Sequence, residues 1–201
     1  TVRNLVRFEE PTLVSTNSEE VLYYANCEDT YDGPLIGYWS FNCQQREREA
    51  RIGRGEPGDP PGDESQRAKG WGEIGRTYAL DHTDRWPAVA VARVTRAWDV
   101  QHSETNARAL QLEGRPDDWS KRGLWVYRVV AIAGLGGLVV LRRRRTLVWP
   151  LVSMLAMVTV TAVAVYGHVR FRTVGDLVLL VGAAVAVDAL ISRVSTTSES
   201  S

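Results

Sequence analysis

Cysteine and histidine are scarce in this 201-residue sequence, which has two cysteines and three histidines. The sequence has no CxxC pair and no histidine-rich segment, so the ligand spacing that is typical of a structural zinc site is absent. We therefore expect no metal site and no cofactor within these residues.

Net charge is also absent, because 24 basic residues balance 24 acidic ones. The balance hides an asymmetry along the chain. Residues 1–121 carry 15 basic and 21 acidic residues, whereas residues 122–201 carry nine arginines and three acidic residues. The first part therefore has an excess of negative charge and the second an excess of positive charge. The second part is also rich in Leu, Val and Ala. Together these differences indicate that the two parts lie in different environments.

Charged residues are missing altogether from Leu147–Gly167, and two further segments, Gly123–Leu141 and Val174–Ser192, are nearly as apolar. As helices these segments would be roughly 28–32 Å long at about 1.5 Å per residue, which matches a bilayer core of about 30 Å. Three buried helices of a soluble protein are the alternative, but no polar stripe runs along Leu147–Gly167. We predict three transmembrane helices.

The run Arg142–Arg145 predicts the orientation of these helices, because short arginine-rich loops stay in the cytoplasm. Residues 1–121 are then extracytoplasmic, and the tail 193–201 is cytoplasmic. The predicted location is the cell membrane, with several membrane crossings.

The extracytoplasmic region is predicted to be a small domain of mixed secondary structure in a protein that is otherwise mainly α-helical. Leu5–Val14 and Val21–Tyr24 look extended, residues 53–65 form a Pro- and Gly-rich loop, and residues 71–100 look helical in two pieces that meet near Pro87. The second helical piece either lies on the membrane surface or packs within the domain, and the sequence leaves both interpretations open.

Cys27 and Cys43 both lie in the predicted extracytoplasmic region, where disulfides persist, and they bracket a segment rich in turn-forming and aromatic residues. We predict one disulfide between them, with two free thiols as the alternative.

Two sequence motifs resemble a known family. The first motif comprises residues 1–4, Phe8 and Val14–Asn17. It resembles the extracytoplasmic segment of polyprenol-phosphate-dependent glycosyltransferases of the GT-C fold. This family includes protein mannosyltransferases and aminoarabinose transferases. The second motif, Tyr166–Arg172, ends in Arg-Phe-Arg and is similar to the segment that precedes the last membrane helix in many bacterial members of the family. The chain as a whole looks most like the actinobacterial members. Between Cys27 and Ser65 the chain departs from the family's usual pattern.

The resemblance implies an enzyme that moves a sugar from a polyprenyl-phosphate donor to a protein or glycan acceptor at the outer membrane face. Its partners would be membrane lipid, the lipid-linked sugar and that acceptor, with no nucleic acid. Family members carry their catalytic acid in a region upstream of the part that matches here. We therefore expect this chain to be a C-terminal fragment that is inactive by itself, and we assign no catalytic residue.

Within that resemblance Arg170 and Arg172 are candidate ligands of the lipid phosphate, because a guanidinium binds phosphate oxygens in pairs and stays charged. Their alternative role is to anchor helix ends at the interface. His168 is a further candidate ligand, or else an ordinary interfacial histidine. Arg3 and Asn4 either line the same cavity or have a structural role.

A second function stays open on the sequence alone. The chain is then a non-enzymatic membrane protein whose extracytoplasmic domain binds a partner or a cell-wall polymer.

Overall fold

The structure, a computed structural model, describes residues 7–10, 15, 17–112 and 114–198. This part of the chain is mainly helical and contains no strand. In chain order the helices of the described residues from Asn17 onward are α1 (Asn17–Ala25), α2 (Glu28–Tyr31), α3 (Phe41–Gly53), α4 (Glu64–Asp81), α5 (Trp86–Ala97), α6 (Ser103–Leu112), α7 (Asp117–Arg143), α8 (Trp149–Ala164) and α9 (Thr173–Ser198). Short 3₁₀ helices lie at Gly33–Leu35, Thr83–Arg85 and Val169–Arg172.

The chain divides into two compact units. The first unit comprises Thr1–Arg93 and Val163–Gly167, and the second comprises Val94–Ala162 and His168–Ser201. The divisions in the sequence fall within α5 and α8, so each of these helices contributes residues to both units.

The core of the first unit is aromatic and contains a disulfide. Tyr23, Cys27, Cys43 and Trp71 are buried together, and the rings of Tyr23 and Trp71 lie 5.0 Å apart. The Tyr23 hydroxyl donates a hydrogen bond to the backbone carbonyl of Cys43 at 3.1 Å. Burial raises the pKa of Tyr23 to about 12, because the phenolate is poorly solvated there.

Helices α1 and α4 pack closely because glycine leaves room between them. A Cβ atom on Gly75 would lie 2.6 Å from the carbonyl oxygen of Leu22 and from the Cα atom of Tyr23. Helix α4 starts with a capping box, in which the Asp63 carboxylate accepts from the Gln66 amide at 3.0 Å and the Gln66 side chain accepts from the Asp63 amide at 3.1 Å. Hydrogen bonds from the Ser65 hydroxyl and the Gln66 amide hold the pKa of Asp63 below its usual value.

The second unit is organised around the long helices α7 and α9, which touch backbone to backbone. A Cβ atom on Gly137 would collide with the Gly182 carbonyl, and one on Gly134 would lie 2.8 Å from the Leu179 Cα atom. Small residues at such a seam let two apolar helices approach closely, which is the packing that membrane helices favour.

Two helical segments, Asp117–Arg143 and Val169–Arg193, are long and apolar enough to cross a membrane. Most of their apolar side chains face outward, with Ile132 at 75% exposure and Leu190 at 62%. The third apolar helix, α8, has 16 residues and falls short of that length.

These observations confirm a mainly helical chain with two candidate membrane helices, but they do not confirm three spans. The predicted span Leu147–Gly167 forms a helix only over Trp149–Ala164. The mixed domain is likewise not confirmed. The extended conformation predicted for Val21–Tyr24 is wrong, since this segment belongs to α1. Most of Leu5–Val14 lies outside the described residues.

The other segments of the predicted extracytoplasmic region can be placed directly. The Pro- and Gly-rich segment 53–65 connects α3 to α4. The helical segment 71–100 corresponds to the later part of α4 and to α5, which are separated just before Pro87. The predicted boundary at residue 121 falls inside α7, so the polar first turns and the apolar remainder form one continuous helix.

Candidate functional site

A cavity of about 380 Å³ in the second unit contains both candidate phosphate-binding arginines. Its walls come from the end of α6, the loop before α7, the first turns of α7, and the 3₁₀ helix with the start of α9. The residues that line it are Leu110, Arg115, Pro116, Trp119, Ser120, Gly123, Leu124, Val169, Arg170, Arg172, Thr173 and Asp176.

The arginines are presented by the 3₁₀ helix Val169–Arg172. His168 precedes it in an extended conformation, and its Nδ1 atom accepts a hydrogen bond from the Arg170 amide at 3.0 Å. The Thr173 hydroxyl donates to the Arg170 carbonyl at 2.8 Å where α9 begins. A 3₁₀ helix has three residues per turn, so side chains two apart point in different directions. Arg170 is accordingly exposed and Arg172 is buried.

Arg172 is the most unusual side chain in the cavity. It is only 7% exposed, and its guanidinium carbon lies 3.4 Å from the ring centre of Tyr127. The Nε atom is 3.4 Å from Asp176 Oδ1, close enough for an ion pair, but the contact lacks hydrogen-bond geometry. Nε and Nη1 are both buried, and neither donates a hydrogen bond to any residue in the described part of the chain.

Buried polar groups normally have hydrogen-bond partners, because leaving a donor unpaired costs roughly 1–3 kcal/mol, and more when the group is charged. The Arg172 guanidinium lines the cavity, and a charged guanidinium in a cavity wall is suited to bind the oxygen atoms of an anion. The ring face of Tyr127 stabilises the positive charge of Arg172.

The charge of the cavity also favours an anion. Arg115, Arg170 and Arg172 contribute three positive charges, and Asp176 contributes one negative charge. The Arg115 side chain is exposed and has no ion-pair or hydrogen-bond partner among the residues that the structure describes.

Of the site residues predicted from the sequence, only Arg170 and Arg172 are among the residues that line this cavity. His168 is buried and caps the 3₁₀ helix, and it is not among the residues that line the cavity. Arg3 and Asn4 lie outside the described residues. Cys27 and Cys43 form the predicted disulfide in the first unit, with their Cα atoms 6.3 Å apart.

Sequence reasoning missed Arg115 and Tyr127. Arg115 lies more than 50 residues before Arg170 in a polar loop, and nothing in its neighbourhood marks it as different from other surface arginines. Tyr127 lies in an apolar run where a tyrosine is unremarkable, and only the fold places its ring against Arg172.

A second polar cluster in this unit has all its charges paired. Asp99 is 1% exposed and accepts from Arg128 at 3.1 Å and from the Asn106 amide at 3.0 Å. Arg128 also lies 5.1 Å from the ring centre of Trp125. Because the charges are mutually satisfied, this cluster is better suited to holding α5, α6 and α7 together than to binding a ligand.

Among the residues that the structure describes, no group of three or more His, Cys, Asp or Glu side chains could hold a metal ion. No protein-family model, curated protein or solved structure matches the chain.

Proposed function

We propose that this chain is the C-terminal part of an integral membrane glycosyltransferase, which moves a sugar from a polyprenyl-phosphate donor to an acceptor outside the cytoplasm. The observation that carries the proposal is the buried Arg172 guanidinium, which lies against the ring of Tyr127 in a cavity with a positive charge excess. The sequence resemblance to polyprenol-phosphate-dependent enzymes supplies the reaction class.

The chemistry of sugar transfer explains why such a site is useful. As the bond between the sugar and the phosphate breaks, the departing polyprenyl phosphate gains negative charge. Arginines that are already in position stabilise that charge more in the transition state than in the ground state, which lowers the barrier. Arg172 is held by Tyr127 and Asp176, so little reorganisation is needed when the charge develops.

In this proposal the cavity lies at the outer membrane face. Helices α7 and α9 cross the membrane, and α8 with its flanking residues forms a third crossing. Helix α8 is about 24 Å long at about 1.5 Å per residue, so the apolar residues on either side of it must complete the span. Trp119 and Trp125 are exposed near the cavity end of α7, as interfacial tryptophans are.

The proposal assigns phosphate binding to Arg115, Arg170 and Arg172 and assigns the catalytic acid to another part of a longer chain. Asp176 acts here as a positioning residue, since it contacts Arg172. Residues 1–121 are extracytoplasmic in this proposal, and the sugar and acceptor are left open.

The test uses the full-length protein in membranes with a polyprenyl-phosphate-linked sugar as donor. Replacing Arg172 by Gln should lower turnover by about 10²-fold, which is the usual loss when one preorganised donor to a developing charge is removed. Arg172→Lys keeps the positive charge but loses the planar guanidinium, so its turnover should lie between those of wild type and Arg172→Gln. Arg170→Gln and Arg115→Gln should mainly weaken binding of polyprenyl phosphate.

Arg122→Gln is the matched control. Arg122 is an exposed arginine of α7 whose guanidinium carbon lies 5.9 Å from the ring centre of Trp119, and it does not line the cavity. Wild-type turnover in Arg172→Gln would overturn the proposal. Binding of polyprenyl phosphate without any sugar transfer by the wild-type protein would favour a non-enzymatic membrane protein instead.

A further inference from the structure

The four consecutive arginines Arg142–Arg145 form a tight turn at the end of α7, which the proposed function does not use. The Arg145 amide donates to the Arg142 carbonyl at 3.0 Å, and the Thr146 amide donates to the Leu141 carbonyl at 3.1 Å. This pair of hydrogen bonds is the Schellman motif that commonly ends helices. We call residues 142–149 the arginine turn.

The Schellman motif places Arg145 at a position that glycine usually occupies. Arg145 has a φ angle of 57°, in the left-handed region that L residues adopt only at a cost. Glycine would form the same turn without strain. An arginine at this position therefore has a local disadvantage for folding relative to glycine, and the hydrogen bonds of the turn hold it in this conformation.

The charges in the arginine turn are not equivalent. Arg144 lies 3.4 Å from Asp188 of α9, so an ion pair balances its charge. Arg142 and Arg145 have no acidic partner in the part of the chain that the structure describes. Both line a cleft of about 420 Å³ with residues 146–148 and Trp149.

Apolar side chains border these two charges. Leu147 is 78% exposed and Trp149 is 71% exposed, and both line the same cleft as Arg142 and Arg145. A small soluble anion would leave these side chains in water. A ligand that carries both a negative headgroup and hydrocarbon chains would satisfy the charges and cover the apolar surface.

We infer that the arginine turn binds the headgroup of an anionic phospholipid. Arg142 and Arg145 contact the phosphate, Trp149 lies at the level of the headgroups, and Leu147 contacts the acyl chains. This site is separate from the cavity around Arg172, and it carries no sugar-transfer chemistry.

The experiment measures lipid binding to the full chain in a mild detergent at about 0.15 M salt, where surface charges are screened beyond about 8 Å. Phosphatidylglycerol or phosphatidylcholine is added to the micelles, and bound lipid is counted by native mass spectrometry. Phosphatidylglycerol should bind and phosphatidylcholine should not. Arg142→Gln and Arg145→Gly should each weaken phosphatidylglycerol binding by about fivefold.

Arg145→Gly separates binding from folding, because glycine relieves the left-handed strain. This variant should melt at the wild-type temperature or above while it binds phosphatidylglycerol more weakly. Arg143→Gln is the charge-matched control, since Arg143 belongs to the same turn but does not line the cleft, and it should bind phosphatidylglycerol like wild type.

Three results would overturn the inference. The first is equal losses in Arg142→Gln, Arg143→Gln and Arg145→Gly, which would mean a diffuse charge effect. The second is equal binding of both lipids. The third is displacement of phosphatidylglycerol by an equal concentration of inorganic phosphate, which would mean a plain anion site. None of these results depends on sugar transfer, so the proposed enzyme activity can fail without affecting them.

Discussion

Trp71 in the first unit is 1% exposed, whereas Trp119, Trp125 and Trp149 in the second unit are 70%, 66% and 71% exposed. Large Val, Leu and Ile side chains also point outward along α7 and α9, and the first unit has fewer such side chains, among them Ile52 and Leu80. Large exposed apolar surfaces on a soluble protein normally mark an interaction site. The many outward-facing apolar side chains of α7 and α9 set the second unit apart, and they are compatible with two helices that could cross a membrane.

The units also differ in what holds them together. The first unit uses a disulfide, a buried aromatic pair and capped helices. The second unit has neither a disulfide nor an aromatic core among its described residues, and it combines close backbone contact at glycines, which the first unit also has at Gly75, with a few paired buried charges. Four substitution experiments test these differences, and they are given in order of decreasing effect.

Removal of the disulfide should destabilise the first unit most. The bond joins residues 16 apart, and closing a loop of that size contributes about 3 kcal/mol. Cys27→Ser with Cys43→Ser should lower the free energy of unfolding of the first unit by about that amount, as followed by protease sensitivity of residues 17–93 in denaturant. Reductant should give the same loss in wild type and none in the double variant. Cysteines that react with an alkylating reagent before reduction would contradict the prediction.

A single methyl group should disturb the second unit. Gly137→Ala places a Cβ atom against the Gly182 carbonyl, and separating two packed helices costs about 1–3 kcal/mol. Thermal unfolding of helical structure in detergent measures the loss. Gly136→Ala is the neighbouring control, because a Cβ atom there meets nothing within 4 Å. Equal melting temperatures for Gly137→Ala and Gly136→Ala would show that α7 and α9 are not closely packed at Gly137.

Loss of the capping box at the start of α4 should destabilise the first unit only. Asp63→Ala removes the acceptor for the Gln66 amide and should lower the stability of the first unit, whereas Asp63→Ser keeps a capping oxygen and should lower it less. Because the pKa of Asp63 is lowered in the folded state, its contribution is present above its usual value of 3.8 and is lost as the pH falls further. Stability of Asp63→Ala should therefore depend less on pH below about 4. If the stability of wild type and that of Asp63→Ala depended on pH in the same way, Asp63 would not have this role.

Tyr23→Phe should have the smallest effect at neutral pH. It removes one hydrogen bond to the Cys43 carbonyl, worth about 1 kcal/mol. The pKa of Tyr23 is raised from 10.0 to about 12 in the folded state, so wild type gains stability from the neutral phenol below pH 10 and loses it between pH 10 and 12. The stability difference between wild type and Tyr23→Phe should therefore shrink over that range, as measured by denaturant unfolding. A constant difference up to pH 12 would mean that Tyr23 titrates normally.

The sequence was informative where local chemistry decides the structure. The apolar runs predicted α7 and α9, because a long stretch without charges can be stable only when it is shielded from water. Pro87 predicted the separation of α4 and α5, because proline lacks an amide hydrogen and suits the first turn of a helix. The disulfide followed from the position of Cys27 and Cys43 in the predicted extracytoplasmic region.

The sequence was misleading where local preference is weak. Val21–Tyr24 contains residues with high strand propensity, yet it forms part of α1, because the packing of Tyr23 against Trp71 and the room left by Gly75 favour a helix. The length of α8 was also overestimated, since an apolar run of 21 residues does not specify where the helix ends.

The mainly helical character of the chain, and the two long apolar helices α7 and α9 among the three that were predicted, followed from the sequence, because each depends on residues that are close together in the chain. Only the tertiary structure decided that Arg172 is buried against Tyr127 while Arg170 is exposed, that Arg115 lines their cavity, and that His168 caps a 3₁₀ helix instead. These features depend on contacts between residues far apart in sequence and on the direction in which a short helix points its side chains, and neither is encoded in local spacing.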